Sequence, residues 1–226
     1  MGRCDDFSAL AGCRPCGMMR VMIPDYWTEA TRALAALDAP LAALIETHAG
    51  AALASRGDPF ATLARSVVGQ QISVKAADAV WGRFVARVGT LSPAAVAALG
   101  REGLAGCGLS QRKIEYLADL AAHFLDGRLD PDGWHRLDDE TLIVELCRVR
   151  GIGRWTAEMF LIFNLMRPDV FPLDDIGLQR AIAQHYFAGA RPSRRELASV
   201  GERWRPWRSV ATWYLWRSLD PVPVEY

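Results

Sequence analysis

An all-α fold is predicted for this chain of 226 residues by two features of its sequence. From Asp25 to about Leu219, apolar residues recur at spacings of three and four, as they do along the buried face of a helix. No segment keeps the alternation of period two that is typical of a half-buried strand. The length fits one large domain or two small ones, and we expect two helical subdomains with a groove between them as the place for a ligand.

The predicted helix boundaries rest on capping residues and glycines. Ser92-Pro93 offers an N-cap with proline in the first turn, and Ser193–Glu196 has the spacing of a capping box. Gly127, Gly151 and Gly189 stand where helices should stop. In chain order, the predicted helices are 25–37, 40–54, 59–69, 73–88, 93–98, 111–126, 139–149, 153–166, 176–187, 193–202 and 206–219.

Composition argues against two classes of protein. The formal net charge is zero, whereas proteins that coat nucleic acid by bulk electrostatics carry a large basic excess. Apolar residues make up 51% of the chain, yet no uninterrupted apolar run reaches the roughly 18 residues of a membrane span. Lys75 and Lys113 are the only lysines, so local positive charge comes almost entirely from arginine.

The five cysteines fit no disulfide framework because their number is odd, and a reduced cytosol is the expected compartment. Cys4, Cys13 and Cys16 have a spacing that could bind a metal ion, but no fourth ligand follows. Cys107 and Cys147 are predicted to be small core residues.

Residues 1–22 are predicted to form a disordered leader, because they lack the long apolar core of a secretory signal and precede the first convincing helix. We hypothesise that translation begins at one of three closely spaced methionines, Met18, Met19 or Met22.

The most informative stretch is the Gly151-Ile152-Gly153 turn between two predicted helices. Two glycines allow a sharp turn while Ile152 fills the gap between the helices. The second helix opens at about Gly153, and its unpaired first amides, with the positive end of the helix dipole, suit a phosphate oxygen. Arg148, Arg150 and Arg154 crowd this hairpin; the simpler alternative is an ordinary tight turn with a solvated arginine face.

Four segments together resemble the helix-hairpin-helix DNA glycosylase superfamily, and most closely its DNA-3-methyladenine glycosylase II branch of the AlkA type. They cover most of residues 58–217, and four motifs in the right order are far more specific than a lone hairpin. The chain is too short before residue 58 for the β-rich N-terminal domain of longer relatives, so it resembles the compact form, with residues 23–226 as the glycosylase domain. The segments are Val68–Ala77, Cys147–Glu158, Phe171–Asp175 and Arg203–Ser209.

The resemblance implies that Asp175 is the catalytic carboxylate. Its place at the start of a predicted helix also suits a negative charge, which the helix dipole stabilises. The alternative is that Asp174 and Asp175 merely cap that helix, and for Asp174 we favour this capping role. By position, Trp155 and Trp216 match the family's pocket tryptophans, which can hold a cationic purine by stacking and cation–π attraction.

Met159, one turn after Trp155, is placed in the base pocket by its position, and Trp213 is a further candidate there. Two further roles follow from the resemblance. Related enzymes that also cut the DNA backbone carry a Schiff-base lysine where this chain has Trp155, so a monofunctional enzyme is implied. The turn at Gly69–Ser73 resembles the family's wedge loop, with Gln71 in the wedge position; a solvated turn residue is the alternative.

The DNA contacts implied by the resemblance lie in the hairpin and in the wedge loop. A monovalent cation at the backbone carbonyls of Val149 and Ile152 is possible by the same resemblance, whereas an iron–sulphur cluster is excluded because no cysteine follows Cys147. The expected DNA-binding residues are Gly151, Ile152, Gly153, Arg154, Thr156, Gln70, Gln71 and Ser73.

The sequence therefore predicts a monomeric, cytoplasmic DNA repair enzyme that flips alkylated purines, such as 3-methyladenine and 7-methylguanine, out of double-stranded DNA and hydrolyses their N-glycosidic bonds. No other cofactor is expected. Two alternatives are a non-catalytic DNA-binding module that uses only the hairpin, and a glycosylase for another damaged or mismatched base.

Overall fold

The computed structural model describes residues 23–55 and 57–219, and it confirms the all-α prediction. No helix in these ranges is long and apolar enough to cross a membrane. A 3-10 helix, Trp134–Arg136, lies between the sixth and seventh α-helices. The α-helices are α1 (Trp27–Leu37), α2 (Ala39–Thr47), α3 (Pro59–Gly69), α4 (Val74–Val88), α5 (Pro93–Leu104), α6 (Gln111–Leu125), α7 (Asp139–Leu146), α8 (Arg154–Phe163), α9 (Ile176–Tyr186), α10 (Arg194–Glu202) and α11 (Arg208–Leu219).

Most helices begin where a short polar side chain accepts a hydrogen bond from the first turn, because the first amides of a helix lack intrahelical partners. Ser92 accepts from the amide of Ala95, as its predicted N-cap role requires. The capping box is also confirmed, since Ser193 and Glu196 bond each other's backbone amides.

Two helix ends differ from the prediction by more than three residues. The second helix ends at Thr47 rather than at residue 54, and Gly50 just beyond it has a φ of +83° that a helix cannot accommodate. The fifth helix runs to Leu104 instead of residue 98, with Gly100 at φ +60° marking a kink between two helical pieces. The spacing of apolar residues alone does not show where φ becomes positive and the helix is interrupted.

Cysteine placement corrects one further prediction. Cys107 is buried, as expected, but Cys147 is exposed because it is the C-cap of α7 and lies at the start of the hairpin turn. Cys4, Cys13 and Cys16, the predicted leader and the three methionines proposed as translation starts lie outside the described residues.

The helices pack in two sets that share one continuous core. The first set contains α3 to α8: α3 lies against α4, α6 and α8, α5 lies against α4 and α6, and α7 packs on α8. The second set brings α1 and α2 from the beginning of the chain against α11 and, through α11, against α9. The hairpin therefore belongs to the first set, whereas Asp175 at the start of α9 belongs to the second.

Candidate active site

The turn between α7 and α8 forms a tightly packed hairpin. Gly151 has a φ of +87°, and a Cβ atom at this position would lie 2.1 Å from Cδ2 of Tyr116, so only glycine fits. Ile152 is buried, with 4% of its surface exposed, and fills the space between the helices as predicted. The hairpin thus depends on close contact with a ring of α6.

Hydrogen bonds from two other elements hold the hairpin in place. The amide of Arg150 donates to Oδ2 of Asp119 on α6 at 2.8 Å. The side-chain amide of Gln70 donates to the carbonyl oxygen of Gly151, also at 2.8 Å. Gln70, which the sequence assigns to DNA contact, therefore ties the wedge loop to the hairpin in this structure.

The N-terminus of α8 is open. Gly153 is its N-cap and makes no side-chain capping hydrogen bond, and a Cβ atom on Gly153 would have no neighbour within 4 Å. The first amides of a helix point outward and, with space in front of them, provide a site for an anion such as a phosphate. The side chain of Thr156 is buried, which leaves its backbone amide as the group that a phosphate would meet.

Arg154, the other predicted phosphate contact in this turn, is engaged in ion pairs. Its terminal nitrogens donate to both carboxylate oxygens of Glu140 at 2.7 and 2.6 Å, and its Nε lies 3.1 Å from Oε1 of Glu158. Burial raises the pKa of Glu158 to about 6, although Arg154 beside it favours the ionised form. The positive charge of Arg154 is thus shared between two carboxylates of the protein.

Asp175 is the N-cap of α9 and lies between the two predicted pocket tryptophans. Its Oδ1 accepts from the amide of Leu178 at 2.6 Å and from the indole Nε1 of Trp216 at 2.8 Å. Its Oδ2 accepts from Nε1 of Trp155, also at 2.8 Å. The structure therefore brings together three residues that the sequence assigned to one site, and joins the beginning of α8 to the beginning of α9.

The two tryptophans differ in their surroundings. Trp155 exposes 42% of its surface at the site. Trp216 is partly buried, and its ring stacks on Phe163 with centroids 5.7 Å apart and planes inclined by 14°. Sequence reasoning missed Phe163, although its place two turns after Trp155 on the same helix was a usable signal.

Gly177 is a second residue that the sequence analysis missed. A Cβ atom there would lie 3.1 Å from Oδ1 of Asp175 and 3.5 Å from Nε1 of Trp216. The absence of a side chain leaves room for the indole edge to reach the carboxylate. The glycine two positions after the aspartate pair was the available sequence signal.

Asp174 does not have the predicted capping role. Because α9 begins at Ile176, its N-cap is Asp175, and the carboxylate of Asp174 comes one residue too early to accept from the first turn. Asp174 instead forms an exposed ion pair with Arg194. Hydrogen bonding from Arg194 lowers the pKa of Asp174.

The other pocket candidates lie deeper in the protein. Met159 is buried one turn below Trp155. Trp213 is also buried, and its ring packs edge-on against both Trp27 and Tyr214. Trp213 therefore belongs to the core around α1 and α11, and Met159 stays a prediction.

The predicted wedge loop joins α3 to α4. Gln71 is exposed and has a φ of +58°, an unusual conformation for a residue with a side chain. Ile72 beside it is also exposed, and the hydroxyl of Ser73 caps α4 by accepting from the amide of Ala76 at 3.3 Å. The loop thus presents a polar and an apolar side chain to solvent next to a fixed helix start.

A helical hairpin beside a carboxylate that accepts two indole N–H groups is the combination expected of a helix-hairpin-helix DNA repair protein. Residues 64–206 match the HhH-GPD superfamily of base excision DNA repair proteins. The chain belongs to this family.

The chain is also similar to individual proteins. It is 32% identical over 188 residues to the YfjP protein of Bacillus subtilis, and the match covers 80% of this chain but only 66% of that protein. A crystal structure of a DNA-3-methyladenine glycosidase from Bacillus halodurans matches with a TM-score of 0.79 and 36% identity, covering 89% of this chain and 93% of that one. The Schizosaccharomyces pombe 3-methyladenine DNA glycosylase Mag1, in complex with abasic DNA, matches with a TM-score of 0.71 and 30% identity, covering 87% and 100% of the two chains.

Proposed function

We propose that this protein is a monofunctional DNA glycosylase that removes alkylated purines, such as 3-methyladenine and 7-methylguanine, from double-stranded DNA. The observation that carries the proposal is the carboxylate of Asp175, which accepts indole N–H groups from both Trp155 and Trp216. The similar proteins from Bacillus halodurans and Schizosaccharomyces pombe are named for 3-methyladenine excision, which supports the same substrate class.

The reaction needs negative charge near the sugar. As the N-glycosidic bond breaks, its electron pair leaves with the purine, and positive charge develops on the deoxyribose. The carboxylate of Asp175 stabilises that charge and orients a water molecule, whose oxygen bonds to the anomeric carbon while one of its protons passes to the carboxylate. A base that carries a positive charge after alkylation leaves as a neutral molecule, so no acid is needed to protonate it.

The base has to leave the DNA stack before this reaction, at a cost of a few kcal/mol for unstacking. The exposed ring of Trp155 offers a face on which a cationic purine stacks, and each such contact contributes roughly 0.5–2 kcal/mol. Gln71 and Ile72, exposed at the wedge loop, are placed to enter the gap that the base leaves.

Backbone cleavage is not part of the proposed activity. A lyase step needs an amine that forms a Schiff base with the sugar, and Trp155 occupies the hairpin position of the family's lysine. Of the two lysines in the sequence, Lys113 donates its Nζ to the carbonyl of Val68 at 2.7 Å, on a different helix from the hairpin.

The proposal also includes a monovalent cation at the hairpin, bound by the carbonyls of Val149 and Ile152. The Val149 carbonyl accepts the amide of Ile152 at 3.1 Å and keeps a second lone pair for an ion. Replacing potassium with lithium at constant ionic strength should weaken DNA binding if the ion bridges to a phosphate. We also propose a cytoplasmic location, supported by the odd number of cysteines, and a monomeric state, the default for an enzyme that moves along DNA.

The test is base release from methylated duplex DNA by the wild-type protein and by Asp175→Asn, with products separated by chromatography and strand breaks scored on a gel. Free 3-methyladenine without strand breaks is expected from the wild type. Asp175→Asn should lose at least about 100-fold in rate, the scale seen when a charge-stabilising group is removed. DNA binding without any base release would instead identify a non-catalytic module, and strand cleavage would contradict the monofunctional assignment.

A further inference from the structure

The carboxylate of Asp175 has more donors than a helix cap needs. One hydrogen bond, from the amide of Leu178, is the capping interaction. Two further donors are indole N–H groups from residues that lie 20 and 41 positions away along the chain. Tertiary packing, rather than local sequence, therefore directs both indole edges at this side chain.

Stacking on a base does not require this arrangement. An aromatic face binds a purine whatever the direction of the ring's N–H group, and a phenyl ring offers a face without any donor. The surroundings of Trp216 favour the edge contact: Phe163 lies against its face, and Gly177 leaves room beside Asp175. Two residues are thus arranged so that the indole N–H of Trp216 reaches Oδ1.

We propose that Trp155 and Trp216 act as positioning residues for Asp175, fixing the orientation of its carboxylate through their indole N–H groups. This inference rests on the proposed glycosylase function. With Leu178 and Trp216 on Oδ1 and Trp155 on Oδ2, one acceptor direction on Oδ2 remains for substrate or water. A carboxylate held in this way needs no reorientation as charge develops on the sugar.

A consequence follows for Trp155, whose ring has two functions. Its ring is 42% exposed at the site where the flipped base would bind, and its Nε1–H donates to Oδ2 of Asp175. A base that seats on the ring therefore orders the side chain that orients the carboxylate. Base recognition and bond cleavage are coupled through one indole.

The test separates the N–H group from the aromatic face. Trp155→Phe and Trp216→Phe keep a ring and remove the donor, and 3-benzothienylalanine at the same positions keeps the two-ring shape with sulfur in place of N–H. Trp207→Phe is the matched control, because Trp207 stacks on Tyr26 away from the site. Single-turnover release of 7-methylguanine and affinity for duplex DNA with an abasic-site analogue are measured for each variant.

Each site variant should lower the single-turnover rate by about 10- to 100-fold, the effect of one hydrogen bond to a charged group. Affinity for the abasic-site DNA should change by less than about threefold, since no base is present to stack. The benzothienylalanine variants should behave like the phenylalanine variants, and Trp207→Phe like the wild type. Wild-type rates in the benzothienylalanine variants would overturn the proposal, because only the donor is missing.

The hydrogen bonds are also observable without any reaction. In a proton–nitrogen NMR spectrum, Asp175→Ala should shift the indole N–H signals of Trp155 and Trp216 upfield, while the control Asp174→Ala leaves both in place. Unmoved signals in Asp175→Ala would overturn the positioning role even for an active enzyme. If Asp175→Ala shifts the signals but the wild-type protein releases no alkylated base, the glycosylase function is overturned, and with it the catalytic part of this inference.

Discussion

Two glycines of the hairpin, only two residues apart, should respond in opposite ways to the same substitution. At Gly151, alanine needs a positive φ, which costs a residue with a side chain about 1–2 kcal/mol. Its Cβ would also lie 2.1 Å from Cδ2 and 2.5 Å from Cγ of Tyr116, at the end of the ring that is bonded to the tyrosine Cβ. Such overpacking costs about 1–3 kcal/mol. Gly151→Ala should therefore destabilise the protein by about 2–5 kcal/mol.

Gly153→Ala should leave folding nearly unchanged. The φ of Gly153 is −96°, and a Cβ atom there meets nothing within 4 Å, so the expected change in the free energy of unfolding is within about 0.5 kcal/mol. The new methyl group would instead occupy the space in front of the open amides of α8. If a DNA phosphate binds there, affinity for duplex DNA should fall by about tenfold or more, the cost of disturbing one charge-assisted hydrogen bond.

Urea denaturation and fluorescence anisotropy with labelled duplex DNA measure the two effects separately. The double variant Gly151→Ala with Tyr116→Ala should keep the strain of the positive φ and relieve the overlap, at the cost of the lost tyrosine packing. Equal unfolding free energies for wild type and Gly151→Ala would refute the packing argument. Wild-type DNA affinity in Gly153→Ala would refute the position assigned to the phosphate.

Three further predictions concern charge and backbone strain. Glu158→Gln should raise the free energy of unfolding by about 2 kcal/mol at pH 8 and change it little at pH 4, since the folded-state pKa is raised from 4.5 to about 6 and each pKa unit corresponds to about 1.4 kcal/mol. The folded carboxyl of Glu158 binds its proton more tightly than the unfolded one, so stability falls as pH rises from about 4.5 to 6 and stays lower above that range. Urea titrations of Glu158→Gln at both pH values, with Glu140→Gln as control, measure the effect. An equal gain in unfolding free energy at pH 4 and pH 8 would contradict the raised pKa. Asp38→Ala should lower the free energy of unfolding, measured by thermal denaturation, by about 3–5 kcal/mol, because the buried carboxylate accepts from Tyr186, Arg203 and Trp204. A loss of stability no larger than that of Tyr186→Phe would argue against a joint role of these three hydrogen bonds. Gln71→Gly should stabilise the fold by up to about 1 kcal/mol by relieving the positive φ, and should slow base flipping measured with 2-aminopurine fluorescence; a less stable variant would show that the loop is unstrained.

Local signals in the sequence predicted the parts of the fold that local interactions decide. The capping box at Ser193–Glu196 depends on residues within a few positions, so its sequence pattern was sufficient. At the hairpin, the glycine pattern predicted the turn but not the contact of Gly151 with Tyr116. The helical piece after Gly100 was missed, because the predicted fifth helix ended at residue 98.

The sequence predicted which residues form the site but not how they are arranged. Motifs identified Asp175, Trp155 and Trp216 as one group, yet the indole edges meet the carboxylate only because helices far apart in the chain pack together. The bond from Gln70 to Gly151 spans 81 positions, and no pattern near either residue indicates it. Such contacts depend on tertiary packing, which propensity and spacing do not encode.

The last helix, α11, packs against the first two, α1 and α2, and this has a consequence for folding during synthesis. Helices α3 to α8 form one uninterrupted stretch, so the hairpin can complete its packing while the ribosome is still adding later residues. Helix α9, whose N-cap is Asp175, packs on α11, and α11 also packs against α1 and α2. The first two helices are synthesised early, but their partner α11 is synthesised last. A nascent chain of this protein is thus expected to form the hairpin before Asp175 reaches its place beside Trp155.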